Sequence, residues 1–316
     1  MSVFEFQLFD AAQRKLQYQT RNGETRLGDH LSRQDSTKAK FVIIGISENA
    51  GPQANLGRSG SENAFQAFSK VFYHTQVYPN APIEGLALLG HIKQLKQPLD
   101  RPEACAYVEE LDTLLFETLN KYILPGQIPI VIGGGHNNAL PLMRWAAQHQ
   151  KLSVVNIDAH ADLRPTDKRH SGNSFSFALQ EDLLTQYGAF GLHEAFNNAF
   201  IRDQLTDTRI IHRFFEDYLQ GPYQLNDDVL GFMQHQKNPI GLEIDMDAIA
   251  MMPSSALSPS GWSLDQMRSL LLKMGHLNAQ IAYLNLTEAA PLDEREDLVV
   301  GKALSYLVRD FCSSQK

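Results

Sequence analysis

Val154-Val155-Asn156-Ile157-Asp158-Ala159-His160-Ala161-Asp162 is the stretch that decides how this chain is read. It opens as an apolar, β-like run and closes on three metal-type ligands, Asp158, His160 and Asp162, at i, i+2 and i+4. On an extended backbone alternate side chains share a face, so a carboxylate, an imidazole and a second carboxylate emerge together. In a parallel α/β sheet, ligands bind at the carboxyl end of such a strand. Taken singly, the triplet is equally a strand that runs out into a polar loop. The neighbouring runs separate the two readings.

Two further apolar runs end in the same kind of residue. Ile128–Ile132 leads into Gly133-Gly134-Gly135-His136, and the run ending at Ile244 carries Glu243 and Asp245 in Gly241-Leu242-Glu243-Ile244-Asp245. The pooled candidates are His136, Asp158, His160, Asp162, Glu243 and Asp245, with no thiol among them. An oxygen-rich set with imidazole suits Mn²⁺ better than a soft-ligand metal. Four converging carboxylates repel one another if left bare, and two divalent cations balance their charge. This points to two Mn²⁺ per chain and an activated shared water.

The bulk properties exclude several classes. The chain has 316 residues, 43% of them hydrophobic and 20% charged, an ordinary soluble composition. A net charge of -8 argues against a nucleic-acid partner. No apolar run approaches the roughly 20 residues of a membrane helix, so no membrane association is expected. The first residues, MSVFEFQLFDAAQRK, carry Glu5 and Asp10 and lack the continuous apolar core of a signal peptide. Cys105 and Cys312 form no framework, which fits a reducing, cytoplasmic location.

In chain order, residues 1–39 are polar and weakly periodic and read as an N-terminal extension packed on a single domain spanning 40–316. Strands are expected at Lys40–Ile46, Ile83–Leu89, Ile128–Ile132, the central stretch, Tyr187–Leu192, Arg209–His212, Pro239–Ile244 and Gln280–Leu286. Between the first strand and Ser61 lies a loop, Ser47 to Gly60, whose glycines and proline argue against regular structure. Helices are expected from Ser61 to Phe72, from Pro102 to the Pro125-Gly126 stop, over Ala139–His149, over Leu264–Met274 and near Leu298–Phe311. The alternation gives a three-layer α/β/α fold with a mostly parallel sheet of about eight strands.

These motifs resemble the ureohydrolase family of arginase, agmatinase and formimidoylglutamase. NIDAHAD is similar to that family's central metal motif, GGGHNN to GGDH, and GLEID to SxDxD. LTEAAP, with Glu288, is similar to the motif whose glutamate faces the substrate's amidine-type group. The resemblance implies an arginase-like eight-stranded sheet. It implies one Mn²⁺ on His136, Asp158, Asp162 and Glu243, and another on His160, Asp158, Glu243 and Asp245. Asp162 would hold the attacking water and take part in proton transfer, and Glu288 would bind the cationic C–N group. Three departures stand out. Gly135 stands for the aspartate of GGDH, Glu243 for the first aspartate of SxDxD, and Phe175 where arginases carry a proton-shuttle histidine. His170 or His193 is the candidate replacement for that histidine.

The loop after the ligands chooses among family members. Arg164, Lys168, Arg169 and His170 follow directly, and Arg58 lies in the first loop. Arginine forks suit carboxylates, and N-formimidoyl-L-glutamate carries two. GPQANLGRSG, RHSGNSFSFAL (which includes Asn173) and GLHEAFN (with His193 and Glu194) resemble bacterial formimidoylglutamases more than arginases. The resemblance thus implies a small amidine substrate, N-formimidoyl-L-glutamate, hydrolysed to L-glutamate and formamide in histidine degradation. It also implies a homo-oligomer, as is common in that family. The alternatives are an arginase or agmatinase releasing urea, a single-zinc amidohydrolase of histone-deacetylase type, and a family member that binds without catalysing.

Overall fold

The computed structural model describes residues 2–10, 19–31, 35–77 and 85–315. A nine-stranded sheet runs through it in the order β1-β3-β2-β4-β9-β8-β5-β6-β7. The strands are β1 Phe4–Leu8, β2 Phe41–Ser47, β3 Leu86–Gln94, β4 Ile128–Ile132, β5 Leu152–Ile157, β6 Leu184–Leu192, β7 Ile210–Phe214, β8 Ile240–Asp245 and β9 Ile281–Thr287. The eight from β2 to β9 are parallel, as expected. The ninth comes from the N-terminal extension, whose Phe4–Leu8 pairs antiparallel with β3 at the sheet edge. The extension therefore completes the sheet as well as packing on it. Residues 83 and 84 of the expected second strand lie outside the described residues, and the described strand runs on to Gln94.

The central strands are buried along their whole length, including every residue of β4, β5 and β8. Such strands read as continuous apolar runs because helices cover both faces of the sheet. One face packs on Phe65, Phe68, Leu270, Leu304 and Phe311, from helices Ala64–Phe72, Leu264–Met274 and Glu294–Ser314. The other packs on Val108, Leu111, Leu115, Leu140 and Phe175, from helices Arg101–Tyr122, Ala139–Ala146 and Ser174–Gln180. Each fully buried side chain of this size contributes about 1.5–3 kcal/mol. The long helix starts where Asp100 accepts the backbone N–H of Glu103, with Pro102 in the first turn. The Ser47–Gly60 loop corrects one expectation. It holds a short helix, Ala50–Ala54, in which Pro52 sits in the first turn, where its missing N–H costs nothing.

Candidate metal centre

Every candidate ligand stands at the carboxyl end of β4, β5 or β8, and Glu288 follows β9, which lies between β4 and β8. The sheet order therefore brings together segments that are far apart in sequence. His136 Nδ1 lies 3.2 Å from Asp158 Oδ2, 3.0 Å from Asp162 Oδ2 and 3.2 Å from Asp245 Oδ2. His160 Nδ1 lies 3.5 Å from Asp158 Oδ1 and 3.1 Å from Asp247 Oδ2. Asp158 thus offers one oxygen to each group, the arrangement of a bridging carboxylate. His136, Asp158, Asp162, Asp245 and Asp247 are all buried.

The donors fit divalent ions. Ligands about 2.0–2.2 Å from an ion and at right angles stand about 3 Å apart, the spacing seen here. Both ring nitrogens of His136 are buried without a hydrogen-bond partner, a costly state that a cation bound at Nδ1 relieves on the cluster side. The electrostatics agree. Burial pulls His136 down, but Asp158, Asp162, Asp245 and Glu243 more than reverse it and hold the ring well above its ordinary value. Burial likewise opposes charge on His160, and Asp247 and Asp158 outweigh it. Burial, then Asp247 and Asp158, push Asp245 well above the carboxylate range. A bare cluster of this kind keeps its charge only by sharing protons, whereas two divalent cations neutralise it directly.

Asp247 was not among the residues expected from the sequence, and it corrects the register of the third motif. The carboxylates that meet the histidines are Asp245 and Asp247. Glu243 meets only the outer nitrogen of His136, with its Oε2 3.5 Å from Nε2. SxDxD therefore aligns with Glu243-Ile244-Asp245-Met246-Asp247, two residues later than expected, and neither aspartate of the motif is replaced. The alternation Glu243, Asp245, Asp247 was visible in the sequence. What hid the third member is that β8 ends at Asp245, and Asp247 is carried by a 3-10 turn whose N–H bonds Asp245 Oδ1 at 2.8 Å.

Gly135 also has a structural reason. A Cβ there would lie 2.5 Å from both Asn137 Oδ1 and Pro52 Cδ, so no side chain fits. A buried carboxylate from the neighbouring strand end, Glu48, reaches the loop instead. It accepts the N–H of Gly135 at 2.7 Å and that of Gly51 at 2.9 Å. Glu288 accepts the N–H of His136 through Oε1 at 2.8 Å, while its Oε2 has no partner. Burial raises its carboxyl to about 7. Asp162 and Glu288 both adopt left-handed backbone, φ 50° and 64°, which non-glycine residues hold only where their surroundings impose it.

A cavity of about 270 Å³ opens on these groups, lined by His160, Asp162, Asp245, Asp247 and Glu288. Arg58, Arg164, Asn55, Ser171 and Phe196 complete its wall. A larger cleft of about 580 Å³ lies at the opposite strand ends, beside Ile128, Pro239 and Ile281, and no Asp or Glu among the described residues lines it. The expected substrate residues divide accordingly. Arg58 and Arg164 face the cavity, Arg58 also pairing with Glu296 at 3.2 Å. Arg169 does not: it is buried against Asp112 and bonds the carbonyls of Asn137 and His170. Asn173 is buried beneath the loop, accepting from Arg169 and donating to the carbonyls of Pro165 and Lys168. His170 turns inward, and its Nδ1 accepts the N–H of Gly172. His193 is stacked between Phe196 and Phe215. Glu194 is exposed outside the cavity wall. That loop reaches the cavity through Phe196, which stacks on His160 with ring centroids 5.4 Å apart. Phe175 lies behind the site, edge-on to His136.

A three-layer α/β/α sheet with an imidazole–carboxylate cluster for two ions at its carboxyl end defines a binuclear-metal hydrolase architecture. The chain matches the Arginase family over residues 39–311, and it belongs to that family. It is 27% identical over 225 residues to the formimidoylglutamase of Staphylococcus carnosus (strain TM300), covering 70% of this chain and 68% of that one. It is 25% identical over 287 residues to the formimidoylglutamase of Geobacillus kaustophilus (strain HTA426), covering 87% and 84%. Among solved structures, Trypanosoma cruzi formiminoglutamase with Mn²⁺ superimposes with a TM-score of 0.72 at 24% identity, over 92% of this chain and 99% of that one. Formimidoylglutamase from Bacillus subtilis gives 0.76 at 18% identity, over 94% of each chain.

Proposed function

We propose that this protein is a Mn²⁺-dependent amidinohydrolase that converts N-formimidoyl-L-glutamate to L-glutamate and formamide. The observation that carries the reading is a complete two-ion donor set opening on a cavity that also holds a buried glutamate and two arginines. His136, Asp158, Asp162 and Asp245 would hold one ion, and His160, Asp158, Asp245 and Asp247 the other. When bound, the ions supply Lewis-acid polarisation and a water of lowered pKa.

The chain's own residues do the rest. Glu288 Oε1 is fixed by the N–H of His136, which leaves Oε2 to receive the N–H groups of the cationic formimidoyl end. Arg58 and Arg164 on the wall pair with the substrate's carboxylates. Water adds to the formimidoyl carbon, the bond from that carbon to the glutamate nitrogen breaks, and the departing nitrogen takes a proton. Asp162, an ion ligand that also lines the cavity, is the group we assign to pass that proton. The floor of the cavity, Asp162, Asp245, Asp247 and Glu288, is buried, which strengthens the contacts made there.

Two buried free thiols, Cys105 and Cys312, suit the reducing cytoplasm in which we place the protein. Among the described residues no helix is long and apolar enough to cross a membrane. The test is a substrate panel on Mn²⁺-loaded protein. Formamide and glutamate from N-formimidoylglutamate support the reading. Urea from arginine or agmatine instead, or no turnover of any member, rejects it.

A further inference from the structure

Glu243 is fully buried on β8, two residues before the cluster carboxylate Asp245. Its place in the sheet is set by register, since it pairs with Asn156 on β5 and Asn285 on β9. Asn285 Nδ2 donates to Glu243 Oε2 at 2.7 Å. The same oxygen lies 3.5 Å from His136 Nε2, at the outer limit of a hydrogen bond. The other oxygen, Oε1, has no hydrogen-bond partner. Tyr283, also buried, lies close enough for this carboxylate to raise its hydroxyl's pKa after burial, but its hydroxyl makes no hydrogen bond. Gly241 makes that approach feasible, because a Cβ there would lie 2.4 Å from the Tyr283 hydroxyl oxygen. A buried carboxylate with a single hydrogen-bond donor, Asn285, and outside the ion cluster needs a role to offset its burial.

The imidazole of His136 supplies that role. A neutral ring carries its proton on one nitrogen only. On Nδ1 the proton would block the lone pair that faces Asp158, Asp162 and Asp245. On Nε2 it points at Glu243, and Nδ1 is free to bind. We propose that Glu243 is a positioning residue, accepting the Nε2–H of His136 and so fixing the tautomer and ring angle that turn Nδ1 into the cluster. Carboxylate partners on the far nitrogen of a ligating histidine tune metal affinity by about 10–100-fold. The inference rests on the two-ion reading of the site.

The experiment titrates the metal-stripped full chain with Mn²⁺, reading bound ions by equilibrium dialysis and elemental analysis. The parent chain, Glu243→Ala, Glu243→Gln and Asp245→Asn are compared, each first melted without metal to confirm folding. The expected result is two ions in the parent and a 10–100-fold weaker affinity for one ion in Glu243→Ala, the other unchanged. Glu243→Gln keeps an oxygen that accepts from Nε2–H and should recover most of that loss, even if the alanine variant does not fold. Asp245→Asn should lose an ion outright. Parent affinities for both ions in Glu243→Ala overturn the inference alone. A glutamine variant as deficient as Asp245→Asn also overturns it, by making Glu243 a direct ligand. A parent chain that binds no Mn²⁺ overturns the proposed function and this inference together.

Discussion

Arg169 and Asp112 form a buried two-pronged ion pair, with Nε to Oδ2 at 2.7 Å and Nη2 to Oδ1 at 3.1 Å. The same guanidinium bonds the carbonyls of Asn137 and His170 and the side chain of Asn173. It therefore ties the long helix Arg101–Tyr122 to the segment after His136 and to the loop that follows the metal ligands. Removing one partner of such a pair leaves the other charged and buried, at a cost of about 3–5 kcal/mol. Arg169→Ala should lose about that much stability in urea unfolding. A variant with parent stability and only a raised KM would show that Arg169 serves the substrate after all.

Asp247→Ala removes the one carboxylate among the described residues that approaches His160 besides Asp158. The variant should retain about one Mn²⁺ per chain and lose at least about 100-fold in kcat. Elemental analysis and initial rates check both. Two tightly held ions in this variant would restore the earlier register, with Glu243 in place of Asp247.

Gly135→Asp restores the residue usual in the motif this loop resembles, but its Cβ would meet Asn137 Oδ1 and Pro52 Cδ at 2.5 Å. It would also bring a carboxylate towards Glu288 Oε1, 3.1 Å from the same Cβ position. The expected outcome is a lower Tm and a loss of activity, each measured against the parent. An active variant of unchanged Tm would show that the loop repacks freely.

Arg164→Ala should raise KM for N-formimidoylglutamate by about 10-fold or more while leaving Mn²⁺ content alone, because a carboxylate loses its charge-assisted partner. Unchanged KM would remove Arg164 from the substrate's contacts.

Two histidines set a pH response outside the metal cluster. Burial, with Lys93 nearby, brings His91 down to about 4, and burial, with Arg169 and Arg164, does the same for His170. In the unfolded chain both return to about 6.5. The folded state therefore binds fewer protons between those values. Stability is fully present above about 6.5 and is lost as pH falls towards about 4. His91→Asn and His170→Asn should each flatten the decline of Tm across that window. The low value also leaves the folded His170 without a proton to deliver near neutrality. A histidine variant that follows the parent curve throughout would contradict this.

Much of this architecture was legible in the sequence, for reasons specific to each part. The parallel strands announced themselves because burial on both faces makes them unbroken apolar runs, as in Ile128–Ile132. The ligands of the central stretch were legible because they follow one strand at fixed spacing. Residues outside a regular element were harder to place. Asp247 sits in a 3-10 turn just past the strand, where a period of two no longer applies. Arg169 and Asn173 read as substrate-binding residues and His170 as a proton-shuttle candidate, since nothing in the local sequence reveals that Asp112, 57 residues earlier, waits beneath that loop. Glu48 was hidden in the same way, because its partners, Gly135 and Gly51, are fixed by tertiary structure.

The position of β9 governs how the molecule is built in time. It is the last strand among the described residues, yet it lies in the middle of the sheet, between β4 and β8. Until residues 281–287 are in place, the sheet exists as two separate blocks, β1-β3-β2-β4 and β8-β5-β6-β7, each with an open inner edge. His136 belongs to one block and Asp158, Asp162, Asp245 and Asp247 to the other, so insertion of this strand is the keystone event that sets the ligands opposite one another. A growing chain thus gains its ion-binding centre only once residues 281–287 have been made. Until then the two open edges are the surfaces most exposed to mispairing.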